Sequence, residues 1–320
     1  MEIVFDVTRI RTDLSKGSCV TIGNFDGVHL GHQRLLDLLR EKAHASSLPA
    51  VLLTFDPHPA QVLLSGDSPA QLTTLDTRLA LFEQAGVDVA LVIPFTREFA
   101  AFSAGDFCGE ILVERLFTRE LVIGHDFSLG KGRAGNAALL AEIGVAAGFR
   151  VEQLSPVTVD GCSISSSRIR ALIGAGQVGD VPRLLGRAHV VPGTVEHGFK
   201  RGSTLLGFPT ANIAPEKAIL PGTGVYATTV YLPGQRETSC LQRPQYIGVA
   251  NIGHNPTFGY AARTLEVHLL DFSRDIYGLP ACITFLQRLR DEKAFNGPAE
   301  LIAQIRLDIE QTRAMIRAEQ

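Results

Sequence analysis

Two histidines three positions apart, His29 and His32, stand in the segment TIGNFDGVHLGHQRLL, where an apolar run ends at Gly23, the chain turns through Asn24 to Val28, and a helical pattern starts near Gly31. At a helix N-terminus the unpaired backbone N–H groups and the positive end of the dipole attract anions, and imidazole N–H donors add to them. This is the chemistry of a phosphate site. A zinc site fits poorly, because no Glu stands between the histidines and no third ligand has suitable spacing. An isolated His-x-x-His reads more simply as two surface histidines. The whole string Gly23-x-Phe25-Asp26-Gly27-x-His29-x-Gly31-His32, placed after a strand, is far more specific.

Further along, Ser165, Ser166, Ser167 and Arg168 open another helical pattern, so hydroxyls, free N–H groups and a guanidinium converge where an anion can bind. Any one of these serines also suffices as an N-cap. Between the two segments lies GHDFSLGKGRAGN, with Asp126 near its start. Gly130, Gly132 and Gly135 match G-x-G-x-x-G, but the strand ends six residues earlier and no acidic residue follows near position 155, which excludes a dinucleotide-binding turn. Nor is it a P-loop, since Lys131 is followed by Gly132. It reads as a basic glycine-rich loop over a ligand, or as a plain solvated one.

In the second half, Gly193 to Ile213 joins a basic loop containing Gly202 to the string Gly207-Phe208-Pro209-Thr210-Ala211-Asn212. On an extended segment Thr210 and Asn212 point to the same side, and both offer the hard oxygens that suit magnesium. A proline-directed turn explains the same residues without a ligand. In TLEVHLLDF, Glu266 and His268 fall on the face opposite Leu265, Val267 and Leu269. A Glu there is either solvated or, if it faces a pocket, able to take a proton from a hydroxyl.

These residues need a scaffold, and the apolar periodicity supplies two. Strand patterns at 19–23, 50–55, 89–93, 120–124 and 150–154 alternate with helical patterns at 31–46, 76–85, 105–116 and 135–147, which predicts an α/β domain on a parallel sheet with ligands beyond the carboxyl ends of its strands. An Asp-Gly pair in PVTVDGCSI predicts a hairpin. After a glycine-rich stretch the texture changes near Gly186, and strands near 193–197, 224–232, 245–252, 264–270 and 280–287 predict a small antiparallel β-barrel. A last helix starts near Pro298, with Ile302, Ile309 and Ile316 on a packing face. Residues 1–186 and 187–320 are thus expected to be separate domains.

Composition narrows the partners. The 320 residues are 45% hydrophobic and 20% charged, with a net charge of −3, which argues against a nucleic-acid partner. The N-terminal segment lacks the pattern of an export signal, and no apolar run is long enough to cross a membrane, so a soluble cytoplasmic protein is expected. The five cysteines are dispersed, which points to neither a zinc site nor disulfides.

The first string resembles the signature of the nucleotidyltransferase superfamily, whose histidines contact the triphosphate of ATP. ISSSRIR resembles its second signature, usually ISSTRIR, with Ser167 replacing Thr and keeping the hydroxyl. GFPTAN, NIGHNPTFG, LEVHLLDF and RLRDEKAF follow one another as in riboflavin kinases. Over nearly its full length the chain resembles the bacterial bifunctional riboflavin kinase/FMN adenylyltransferases. A tRNA-acting or pantetheine-acting nucleotidyltransferase shares the histidine logic but does not explain the PTAN and LEVHLLDF segments.

The resemblance implies a Rossmann-like nucleotidyltransferase domain and a six-stranded kinase barrel. It implies that ATP and magnesium serve the phosphorylation of riboflavin to FMN and the adenylylation of FMN to FAD with release of pyrophosphate. It also implies catalytic roles for His29, His32, Arg168 and Glu266, the last as base on the riboflavin 5′-hydroxyl. Nucleotide or flavin contacts fall on Gly23, Phe25, Asp26, Gly31, Asp126, Ser165, Ser166, Ser167 and Gly202, magnesium and ATP on Thr210 and Asn212, and the flavin border on Arg290 and Glu292. Asn136, where the family commonly has Asp, and Phe199, inside a usually polar loop, are departures.

Overall fold

A computed structural model describes residues 1–64, 68–197, 207–234, 240–254 and 263–318; Gly202 and Phe199 lie outside the described residues. The chain forms two compact units, Met1–Pro69 with Arg78–Ser165, and Ala70–Thr77 with Ser166–Gln320.

The first unit is built on β1 (Glu2–Val4), β2 (Ser18–Ile22), β3 (Ala50–Asp56), β4 (Val89–Pro94), β5 (Thr118–Ile123) and β6 (Arg150–Gln153). All pairings are parallel, in the order β1-β4-β3-β2-β5-β6. Every residue of β2 is buried, as are Val51 to Leu53 of β3, which is why these strands read as unbroken apolar runs and not as alternating ones. Three-residue β1 was not legible: with Ile3 exposed and a short span, it has no periodicity to detect.

The helices of this unit are α1 (Leu30–Ser46), α2 (Pro59–Leu63), α3 (Leu75–Gln84), α4 (Arg97–Ala100), α5 (Ala104–Phe107) and α6 (Ala137–Ala147); the first residues of α3 are counted with the second unit. Leu35, Leu36, Leu39 and Ala43 form the buried face of α1. The single helix expected over 105–116 is instead α5 followed by a π-helical stretch, Cys108–Val113. Its wider winding brings Phe107 and Leu112, five apart, into the same core. A hairpin, β7 (Thr158–Val159) and β8 (Cys162–Ser163), turns at Asp160 and Gly161, both at positive φ, as the Asp-Gly pair predicts.

From β2 the chain proceeds outward to β3 and β4, then places β5 on the other side of β2. The carboxyl ends of β2 and β5 therefore flank a topological switch point, where such sheets open a crevice.

The second unit begins with α7 (Ser166–Gly174) and α8 (Pro182–Leu185), and continues through β9 (His189–Glu196), β10 (Ala211–Pro215), β11 (Gly224–Tyr231), β12 (Tyr246–His254), β13 (Arg263–Leu269) and β14 (Pro280–Arg290). These six close into an antiparallel barrel in the order β10-β13-β12-β11-β14-β9. Val195, Ile213, Ala250, Leu265, Val267 and Ile283 fill its interior. The last helix, α9 (Pro298–Ala318), packs on β11 and β12. Its isoleucines are only partly buried, and its two buried residues are polar, Asp308 and Thr312.

Contrary to the reading of dispersed cysteines, Cys240 and Cys282 form a disulfide, with Cα atoms 5.5 Å apart across 42 residues of sequence. Linear spacing hides the pair because β11 and β14 are neighbours: Cys282 faces Tyr231, and the chain leaving β11 returns past them at Cys240. Among the described residues no helix is long and apolar enough to cross a membrane.

Candidate active sites

The turn after β2 is shaped by the residues that the sequence singled out. Phe25 and Val28 both adopt left-handed backbone, φ 50° and 40°, with Gly27 between them at 84°. For a bulky or β-branched residue this conformation is strained, by about 1–3 kcal/mol each, and persists only where the surroundings enforce it. Phe25 is buried and packs edge-on against His32 and Phe82, at centroid distances of 5.2 and 5.5 Å. A Cβ at Gly23 would lie 3.2 Å from the Phe25 ring, and one at Gly31 3.1 Å from the His29 ring. The glycines of the string make room for the two rings. Asp26 is also buried in this turn.

His29 is the N-cap of α1, and its Nδ1 accepts the His32 N–H at 3.2 Å. In the neutral ring the proton then resides on Nε2, leaving that nitrogen as the donor. The two imidazoles stack at 3.7 Å with 13° between their planes. Burial, reinforced by His29 and Arg78, holds His32 well below the usual histidine range, so it is neutral at pH 7. His32 Nδ1 is buried with no hydrogen-bond partner. His32 therefore contributes no positive charge at neutral pH, in line with the role of hydrogen-bond donor expected of the imidazoles.

At the end of β5, across the switch point from β2, Asp126 is exposed. The glycine-rich loop after it is folded: Leu129 and Gly135 pair, Lys131 N–H donates to the Phe102 carbonyl at 2.9 Å, and a Cβ at Gly130 would lie 2.8 Å from the Ala104 nitrogen. Asn136 caps α6, accepting from the Leu139 N–H at 3.0 Å. An Asn performs this as an Asp does, which accounts for the departure. Ser165 ends the first unit, while Ser166, Ser167 and Arg168 form the first turn of α7 in the second.

On the barrel, register assembles what the sequence listed apart. Asn212 of β10 pairs with Glu266 of β13, and Glu266 pairs with Asn251 of β12. Directly paired residues share a face, and here it is the outer one, because the alternate residues Ile213, Leu265 and Ile252 fill the interior. His268, two after Glu266 in β13, extends the same face, and Thr210 immediately precedes β10. His268 Nδ1 lies 2.7 Å from the Pro209 carbonyl, and its ring meets Phe208 edge-on, which anchors the segment before Thr210. Glu266 is half-buried, and burial raises its carboxyl above the usual range. That makes it a stronger base than an exposed Glu.

Beyond β14, the Glu292 carboxylate occupies the space a side chain at Gly253 would take, close to the Asn251 amide. Arg290 is committed elsewhere: Nε lies 3.0 and 3.1 Å from the Asp308 carboxylate oxygens and Nη2 2.8 Å from Oδ2. Asp308 also accepts from Gln304 at 2.9 Å. Arg290 thus fastens α9 to the barrel beside the polar face.

A family model described as FAD synthetase matches residues 12–168, and one described as riboflavin kinase matches 185–316. Proteins named bifunctional riboflavin kinase/FMN adenylyltransferase are similar over almost the whole chain. That of Haemophilus influenzae is 38% identical over 95% of this chain and 96% of its own. Those of Pseudomonas fluorescens and Escherichia coli K12 are 37% and 35% identical, covering 98% and 96% of both chains. The chain belongs to the bifunctional riboflavin kinase/FMN adenylyltransferase family.

A crystal structure described as a macrolide-efflux protein from Streptococcus pneumoniae shares the fold, with a TM-score of 0.84 and 29% identity over 97% of this chain and 98% of that one. Within the family frame, the FAD synthetase match takes in the His29 turn and Ser165 to Arg168, and the riboflavin kinase match takes in Thr210, Asn212, Glu266, Arg290 and Glu292. Asn251 was missed although NIGHN was noted, because only strand register sets it beside Glu266. Arg78 was missed altogether: nothing in TTLDTRLAL distinguishes it from a solvated helix charge.

Proposed function

We infer that this bifunctional riboflavin kinase/FMN adenylyltransferase makes FMN from riboflavin and FAD from FMN, with ATP as the donor in both steps. The observation that carries the reading is the contrast between two sites. One gathers imidazole and helix N–H donors suited to phosphate; the other sets a carboxylate with a raised proton affinity beside oxygen ligands.

The first suits adenylyl transfer. The FMN phosphate is already ionised, so it attacks the α-phosphorus of ATP without losing a proton, and pyrophosphate leaves. What the reaction needs is stabilisation of charge on the phosphates. His29 Nε2–H and the N-terminus of α1 supply donors, with Phe25, Asp26 and the two glycines shaping the turn. Asp126 and Ser165 to Ser167 are assigned to nucleotide binding by the family strings, and Arg168 to the charge on the leaving group.

The second suits phosphorylation of an alcohol. Glu266 takes the riboflavin 5′-hydroxyl proton as the oxygen attacks the γ-phosphorus, and ADP leaves. The hydroxyl of Thr210 and the carboxamide oxygen of Asn212 fit magnesium as hard ligands. Bound there, magnesium would neutralise phosphate charge. Glu292 is assigned to the flavin border; Arg290 acts there by holding α9.

Incubating the protein with riboflavin, ATP and magnesium tests the reading by chromatography of the products. FMN followed by FAD supports it. One product alone would mean a single live activity, and neither would leave a flavin-binding protein without turnover.

A further inference from the structure

Arg78 is buried at 2% exposure in α3, far along the sequence from every motif residue, and none of the chemistry above uses it. Its guanidinium reaches the carboxyl ends of two adjacent strands at once. Nη1 donates to the Asn24 carbonyl at 2.8 Å and to Thr54 Oγ1 at 3.2 Å, Nη2 lies 3.5 Å from the Phe55 carbonyl, and Nη2 lies 3.7 Å from Asp56 Oδ1. Thr54 Oγ1 in turn lies 3.4 Å from the Asn24 carbonyl.

Asn24 is the residue where the strained turn begins, immediately before left-handed Phe25. A backbone that stores strain in this way needs an external constraint to hold it, and the Asn24 carbonyl is where the constraint is applied. On the far side of the turn, Phe25 bears on His32 and the Gln33 amide on the Val28 carbonyl at 2.8 Å. Burying a guanidinium is costly, and such groups are retained where their several bonds fix a geometry. Asp26 and Asp56 offset its charge.

We propose that Arg78 is a positioning residue for FMN adenylylation, a buried clamp that joins the ends of β2 and β3 and sets the turn that aims His29 and His32. It rests on the adenylyltransferase reading of this site. Arg78 touches no substrate; it acts through Asn24 and Phe25. A lysine keeps the charge but lacks the fork that reaches Asn24, Thr54 and Phe55 together.

The test uses the full chain, with Arg78→Lys as the first variant and Thr54→Val as the second, and riboflavin phosphorylation as an internal control. Misplacement of catalytic groups by about 1 Å costs up to ~10²-fold. Arg78→Lys is expected to lower kcat for FAD formation by at least about tenfold, with KM for FMN nearly unchanged and kinase kcat at the parent value. Thr54→Val, which removes one acceptor and no charge, should lose less but with the same split. FAD turnover within about twofold of the parent in folded Arg78→Lys overturns the proposal, as does a loss confined to thermal stability. Should Arg78→Lys fail to fold, parent-like FAD turnover in Thr54→Val overturns it instead. A parent protein that makes FMN but no FAD would refute the adenylyltransferase reading itself, which separates the two failures.

Discussion

A single hydrogen bond between residues three apart decides which nitrogen of His29 would meet the nucleotide in the proposed reaction. Because Nδ1 is occupied by the His32 N–H, only Nε2 is left to donate, and His29→Ala removes both that donor and the cap of α1. Loss of one such donor typically costs ~10²–10³-fold in kcat. FAD formation from FMN should fall accordingly, with riboflavin phosphorylation unchanged; retention within a few-fold would take His29 out of the chemistry. Glu266→Gln should do the opposite, lowering kinase kcat by ~10²–10⁴-fold, because the amide cannot accept the proton. The carboxylate must be ionised to act, and burial has raised its pKa. Kinase kcat should therefore fall on acidification through a value above the ~4.3 of an ordinary Glu, an acid limb that a pH–rate profile would locate. A limb at or below that value would mean the group is not Glu266.

At the level of elements, α9 carries an unusual contact for a terminal helix: a buried carboxylate paired with a guanidinium, beside the partly buried face of Ile302, Ile309 and Ile316. Asp308→Ala leaves the Arg290 charge without its partner, at a cost of ~3–5 kcal/mol, whereas replacing both by apolar residues of similar size should cost less. Urea denaturation of the kinase unit would measure both. A single-variant cost under about 1 kcal/mol, the range of an exposed ion pair, would show the contact to be superficial. The same helix shows where sequence reading stops. Heptad spacing located α9, but a pattern of apolar positions carries no information on a buried Asp. Likewise β2 and β3 were legible because burial on both faces leaves an unbroken apolar run. Glu266, Asn212 and Asn251 became neighbours only through strand register, which depends on residues far apart in the chain. Arg78 looked like any helix-surface charge, since its burial is a property of the packed unit.

For the molecule as a whole, the proposed division at residue 186 predicts that 1–186 converts FMN to FAD and 187–320 converts riboflavin to FMN. The shorter piece would start without the Gln71 carbonyl that accepts the Ile219 N–H at 2.7 Å and without α7, so lower stability is expected along with retained reaction specificity. Circular dichroism and product assays would check both. A kinase fold recovered only when the piece begins at Ser166 would move the division there. The closure of the barrel has one more effect. A closed barrel exposes no row of unpaired backbone groups, whereas the parallel sheet ends in two open rims, β1 and β6. Strand-by-strand growth of insoluble protein can begin at such rims and not on a closed cylinder. In heat-clouded samples, the protease-resistant fibrillar material should accordingly yield peptides from the first 165 residues, with the barrel remaining in the supernatant after cleavage.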